Sequence, residues 1–137
     1  MFLELNFGLQ HFDLIAVGIV TAGILILGFS IFFNNRRSIT NRAFLYFALL
    51  TVAYGFFNYI NYQISSIRFI LFFQRLTIFF AVWHALSFFY LFYVFPQTEK
   101  TLSKIYKFGL IPVAIFTALL TLTPAVFSGI EIGRAHV

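Results

Sequence analysis

Four windows without a single charged side chain, residues 14–35, 43–67, 76–98 and 108–130, constrain this chain more than any other feature. They are 22, 25, 23 and 23 residues long. A helix needs roughly 20 apolar residues to cross a hydrocarbon core of about 30 Å. Each run is continuously apolar and lacks the period-2 alternation of a membrane β-strand. A helix also satisfies its backbone polar groups locally, as lipid demands. The composition agrees: 61% of the 137 residues are hydrophobic and 9% are charged. Soluble domains run at about 45–50% and about 25%. Thirteen charged residues cannot cover a soluble surface, so a soluble single-domain enzyme is excluded. The expected fold class is all-α: a polytopic integral membrane helical bundle with four transmembrane helices, spanning about 14–33, 43–64, 70–95 and 108–127.

The connections give the orientation. Segment 34–42 carries Arg36, Arg37 and Arg42, and segment 96–107 carries Lys100, Lys104 and Lys107 against Glu99. The other side offers Arg68, Arg75 near the entrance of the third span, and the acids Glu4 and Asp13. Basic loops stay in the cytoplasm, so the N-terminus is expected outside, in a multi-pass protein of the inner (cytoplasmic) membrane. The same placement accounts for the net charge of +5 without nucleic acid as a partner. A signal peptide does not fit: no basic region precedes the first run, which is too long, and Arg36–Arg37 follow it. Phe2, Leu5, Leu9 and Phe12 share a helical spacing, which suits either an interfacial lead-in or an extension of the first span.

Residues 131–137 read Glu-Ile-Gly-Arg-Ala-His-Val. The codons GAG ATC GGA AGA GCA CAC GTC of a common sequencing adapter spell this heptapeptide. The tail is therefore expected to be an adapter scar following a natural frame cut near Ile130, with a genuine short tail as the alternative. Residues 1–130 would then be the N-terminal part of a longer membrane domain.

Few residues inside the spans carry chemistry. Cysteine is absent, which removes disulfides and thiol catalysis. There is no Gly-rich phosphate loop, no HExxH, no serine-nucleophile motif and no carboxylate pair, so this chain is expected not to be an enzyme. His84 lies mid-way along the third span. A hydrogen-bonded structural histidine, a ligand or proton sensor, and a metal or haem ligand are all open. A haem would take a second histidine on a facing helix, and His11 lies near the outer boundary; no cofactor is expected. Tyr54, Asn58, Asn61 and Tyr62 recur on one side of the second span. They suit an outward-opening polar pocket, or interhelical hydrogen bonds contributing about 0.6 kcal/mol each. Arg68 and Arg75, seven apart, share a helix face and suit Glu4 or Asp13, lipid phosphates or an anionic ligand. Gly18 and Ala22 form a small-xxx-small pair permitting close helix approach. Pro112 and Pro124 are expected to kink the fourth span.

In order along residues 10–130, short motifs resemble the N-terminal seven-helix membrane region of bacterial sensor histidine kinases. Asn34-Asn35-Arg36-Arg37 and Asn41-Arg42-Ala43-Phe44 match its basic loop and the start of its second helix. Phe73-Gln74-Arg75-Leu76 matches its entry to helix three, with Gln74 where an aromatic is usual. Tyr93-Val94-Phe95-Pro96 and Leu122-Thr123-Pro124 match the turns after helices three and four, and Tyr54 stands where tryptophan is frequent. The resemblance implies a membrane-embedded sensory input module of a two-component signal-transduction system. Its partners would be the bilayer, three further helices and a cytoplasmic kinase domain, in a homodimer when complete. His84, Arg75, Arg68, Asn58, Asn61 and Tyr54 are the ligand or sensing candidates. A fragment of a small-molecule transporter and a structural membrane subunit are the alternatives.

Overall fold

A computed structural model describes the backbone of residues 2–64, 66–95 and 103–126, with side chains over 13–64, 66, 68–95 and 103–126. The expected lead-in side chains of residues 2–12, the Pro96 turn, Glu99, Lys100 and the tail 131–137 lie outside the described side chains. Helix α1 runs unbroken over Phe2–Asn34, α2 over Ile39–Gln63 and α3 over Ile67–Val94. A π-helical turn, Tyr106–Leu110, leads into α4 at Ile111–Thr121. Three helices are long and apolar enough to cross a bilayer: Asp13–Asn34, Ile39–Gln63 and Arg68–Val94.

The fourth helical stretch is shorter than the expected 108–127. At 1.5 Å per residue, Tyr106–Thr121 rises about 24 Å, less than the hydrocarbon core. The two prolines explain its limits. Pro112 has no N–H to give the carbonyl four residues back, and its ring crowds that carbonyl. The backbone widens just before it, and the Ile111 N–H bonds five residues back to the Tyr106 carbonyl. Pro124 kinks nothing, contrary to expectation, because α4 has already ended at Thr121. A residue preceding proline is pushed out of the helical region, and Thr123 instead turns its N–H (3.0 Å) and Oγ1 (2.7 Å) onto the Leu120 carbonyl.

The turn between α1 and α2 is built from its own polar side chains. Asn35 Oδ1 accepts from the Arg37 and Ser38 amides at 3.1 and 3.3 Å. Ser38 caps α2, its Oγ accepting the Asn41 amide at 3.4 Å. Asn41 Nδ2 reaches back 2.8 Å to the Ile31 carbonyl, one of the last four of α1, which no helical amide can satisfy. Arg36 lies 4.6 Å over the Phe33 ring. The residues that resemble a family motif here thus have local structural work.

The helices pack in series, α1 on α2, α2 on α3 and α3 on α4, and among the described residues no other pair is in backbone contact. The four helices therefore form a row in which each contacts only its neighbours in the chain. Antiparallel α2 and α3 are joined most extensively. Phe57 stacks on Phe80 at 4.8 Å, Phe47 lies tilted against Phe88 at 5.7 Å, and Thr40 Oγ1 donates to the Val94 carbonyl at 3.3 Å. Tyr106 fastens α4 to α3, with its ring against Phe89 and Tyr93 and its hydroxyl donating to the Leu86 carbonyl at 3.3 Å. Ala43, Ala48, Val94, Tyr106 and Ala118 are the buried hydrophobic residues. Large side chains such as Ile19, Ile26, Phe92 and Phe116 are more than 60% exposed. The accessible surface is 10271 Å², against about 7300 Å² for a compact soluble chain of this mass. Such a surface calls for an apolar surrounding.

Close approach between α1 and α2 occurs at Gly28, where an added Cβ would stand 2.9 Å from Ala48 Cβ. It does not occur at the expected Gly18 and Ala22. Gly18 has nothing within 4 Å of its Cβ position, and both residues are exposed.

Candidate functional site

Above the Gly28–Ala48 contact, toward the start of α1 and the end of α2, the two helices separate around a groove of about 630 Å³. One stripe of α1 lines it, Asp13, Ala16, Val17, Val20, Thr21 and Ile24, at the three- and four-residue spacing of a single helix face. The opposing wall is Thr51, Val52, Tyr54, Gly55, Asn58, Tyr59, Tyr62 and Gln63 of α2. Aliphatic side chains and two hydroxyls, Thr21 and Thr51, line the groove near Ile24 and Val52, and Asp13, Asn58, Tyr62 and Gln63 line its other end. A second crevice of about 300 Å³, lined by Leu14, Gly18, Phe56 and Ile60 among others, flanks the same helix pair.

Of the six expected site residues, the structure brings together Tyr54, Asn58 and His84. Tyr54 and Asn58 line the groove, and the Tyr54 ring stacks on His84 of α3 at 5.8 Å and 6°. Phe47, two turns before Tyr54, covers His84 from the other direction at 5.2 Å and 25°. The imidazole therefore sits in an aromatic slot. Its Nε2 is enclosed and has no hydrogen-bond partner among the described residues. Its carbonyl accepts the Ser87 hydroxyl at 2.7 Å.

Asn61 goes elsewhere. Its Nδ2 donates to Gln74 Oε1 of α3 at 2.6 Å, with Oδ1 enclosed beside it. At 100° per residue, Tyr54, Asn58, Asn61 and Tyr62 spread over an arc of about 100°. That arc straddles the boundary between α1 and α3, so its two edges meet different helices. Arg68 is exposed at the start of α3 and Arg75 is half-buried, its Nε withdrawn from the surface. Neither lines the groove.

Tyr62, expected on the polar side of the second span, also lines the groove, and Asp13, Tyr59 and Gln63 line it without having been expected as site residues. Asp13 flanks the first apolar run, a signal that had pointed to it only as a partner for arginine. Gln74, conspicuous only as a departure from an aromatic position, is the partner of Asn61. Among the described residues no three His, Asp or Glu side chains gather to hold a metal ion. Compared with known protein families, characterised proteins and solved structures, the chain matches none.

Proposed function

We propose that this chain is the sensory input portion of a membrane-bound signal-transduction histidine kinase, with four crossings, the N-terminus outside and both basic loops in the cytoplasm. The observation that carries the proposal is the asymmetry of the α1–α2 pair. The pair is pinned at its basic-loop end by Gly28 against Ala48 and by Asn41 on the Ile31 carbonyl. At the other end it is open around the groove. An occupant wedged between Asp13 and Asn58 would favour one splay of α1 against α2 over another. The short, hydrogen-bonded turn would carry that bias to the cytoplasmic side. A ligand shifts such an equilibrium only by its differential affinity for the two arrangements, and a groove between two neighbouring helices would supply that difference. The open row adds support, because α1 and α4 each pack on one neighbour and leave apolar faces for further helices or a second copy.

Two experiments test the proposal. Genomic sequence read through codon 130 is expected to continue into three more spans, a phosphoacceptor-histidine helix and an ATP-binding domain. Inverted repeats of this block without a cytoplasmic domain would instead favour transport. Alkaline phosphatase fused after Pro96 is expected to be inactive, and fused after Gln63 active. Activity after Pro96 would overturn the orientation.

A further inference from the structure

We infer that the α1–α2 groove is a binding site for a small lipophilic cation, an apolar body carrying a single positive charge. This names the ligand class of the proposed input site and takes its biological meaning from that reading. The binding itself is measurable on the isolated chain, so the two can fail separately.

Charge and aromatic placement carry the inference. Among the described residues Asp13 is the one charged residue in the lining, which contains no Lys or Arg. It shares the lining with Tyr59 and Tyr62 and the amides Asn58 and Gln63 of the same end of α2, while Tyr54, stacked on His84, stands nearer Val52. Tyrosine faces attract cations through the ring quadrupole, and a carboxylate adds direct Coulomb attraction. An anion would be repelled by the Asp13 carboxylate and disfavoured over the tyrosine faces. Behind them, Ala16, Val17, Val20, Ile24 and Val52, with Thr21 and Thr51 among them, give a mostly aliphatic floor for the apolar body. The volume of about 630 Å³ falls in the range of about 300–1000 Å³ that takes a drug-sized molecule. A free cation suits the groove better than a phospholipid ammonium head, because a zwitterionic head would bring its phosphate against Asp13.

The probes are tetraphenylphosphonium and tetraphenylborate, matched in shape and opposite in charge. The full chain is reconstituted in phosphatidylglycerol nanodiscs, which present no ammonium head. Binding is read by equilibrium dialysis, each ion corrected for uptake by empty nanodiscs because the interfacial dipole potential favours one sign. Tetraphenylphosphonium is expected to bind saturably and tetraphenylborate not. Asp13→Asn is expected to weaken the cation about fivefold, the upper range for one exposed carboxylate, and Asp13→Glu to retain wild-type affinity. Gly55 lines the groove with nothing within 4 Å of its Cβ position, so Gly55→Leu plugs the site and is expected to abolish binding. Gly109→Leu adds the same bulk at an open position outside the groove lining and is expected to leave binding intact. Equal saturable binding of both ions, or an unchanged affinity in Asp13→Asn, would overturn the inference. So would loss of cation binding when phosphatidylethanolamine is added, since the groove would then hold a lipid head. The Asp13 pair carries the test even if Gly55→Leu does not fold.

Discussion

Gly28→Ala is the substitution that most directly interrogates the α1–α2 pair. The new methyl carbon would stand 2.9 Å from Ala48 Cβ and 3.6 Å from Leu45 Cδ1. Carbon atoms settle at about 3.5–4.0 Å, so the helices must part by roughly 0.6–1 Å at their tightest point. Ala48 has no rotamer with which to yield, and its Cβ moves only with the α2 backbone. Overpacking of this kind costs about 1–3 kcal/mol. The better helix propensity of alanine returns at most about 1 kcal/mol. The expected result is a net loss of about 1–2 kcal/mol. Gly18→Ala and Gly23→Ala meet nothing within 4 Å and are expected to be neutral or slightly stabilising through propensity alone. Reversible unfolding in mixed SDS micelles, followed by far-UV circular dichroism, compares the three. Ala48→Gly in the Gly28→Ala background removes the atom that is struck and is expected to recover most of the loss. Gly28→Ala as stable as wild type, or Gly18→Ala the more damaging of the two, would show that the helices approach elsewhere and would remove the pinned end on which the proposed signalling geometry depends.

Three further outcomes follow from single contacts. In a double-mutant cycle of Asn61→Leu with Gln74→Leu, the 2.6 Å hydrogen bond is expected to give a coupling of about 0.6 kcal/mol, at most about 1.7. Zero coupling would mean that the two amides do not meet. Asn41→Ala is expected to cost about 1 kcal/mol through the lost bond to the Ile31 carbonyl. Asn41→Asp should cost more, since a carboxylate faces that carbonyl with no donor, and the reverse order would refute the assigned contact. Tyr106→Ala removes the buried ring joining α4 to α3 and is expected to cost about 3 kcal/mol in the same unfolding assay. Tyr106→Phe loses only the 3.3 Å bond to the Leu86 carbonyl and should stay within about 1 kcal/mol, so equal losses would contradict the packing.

How much of this was legible in the sequence depends on what kind of information each residue carries. Charges mark where apolar segments stop, because a charge in hydrocarbon is costly at every angle around the helix. Arg36, Arg37, Arg42 and Arg68 therefore placed the ends of α1 and α2 and the start of α3 to within a few residues. Which face of a helix meets its neighbour is different information. In a helix apolar all round, no polar stripe opposes an apolar one, and the usual periodic signal vanishes. Glycines 18, 23 and 28 of α1 look alike on that basis. Only the presence of Ala48 opposite Gly28 makes one of them a contact and leaves the others open, and that depends on the register set by the Asn35–Ser38 turn. The same reasoning separates Asn58 from Asn61. Three residues apart they share a side of α2, but the boundary between two neighbouring helices runs between them. One becomes a groove wall and the other a tie to α3. Asp13 escaped notice as a site residue for a related reason. A charge at the end of an apolar run reads as a boundary, and it gains a second meaning only when a neighbouring helix places tyrosines and amides in the same groove. Polar residues in such chains are thus easier to find than to assign, because their chemistry is local but their partners are set by register.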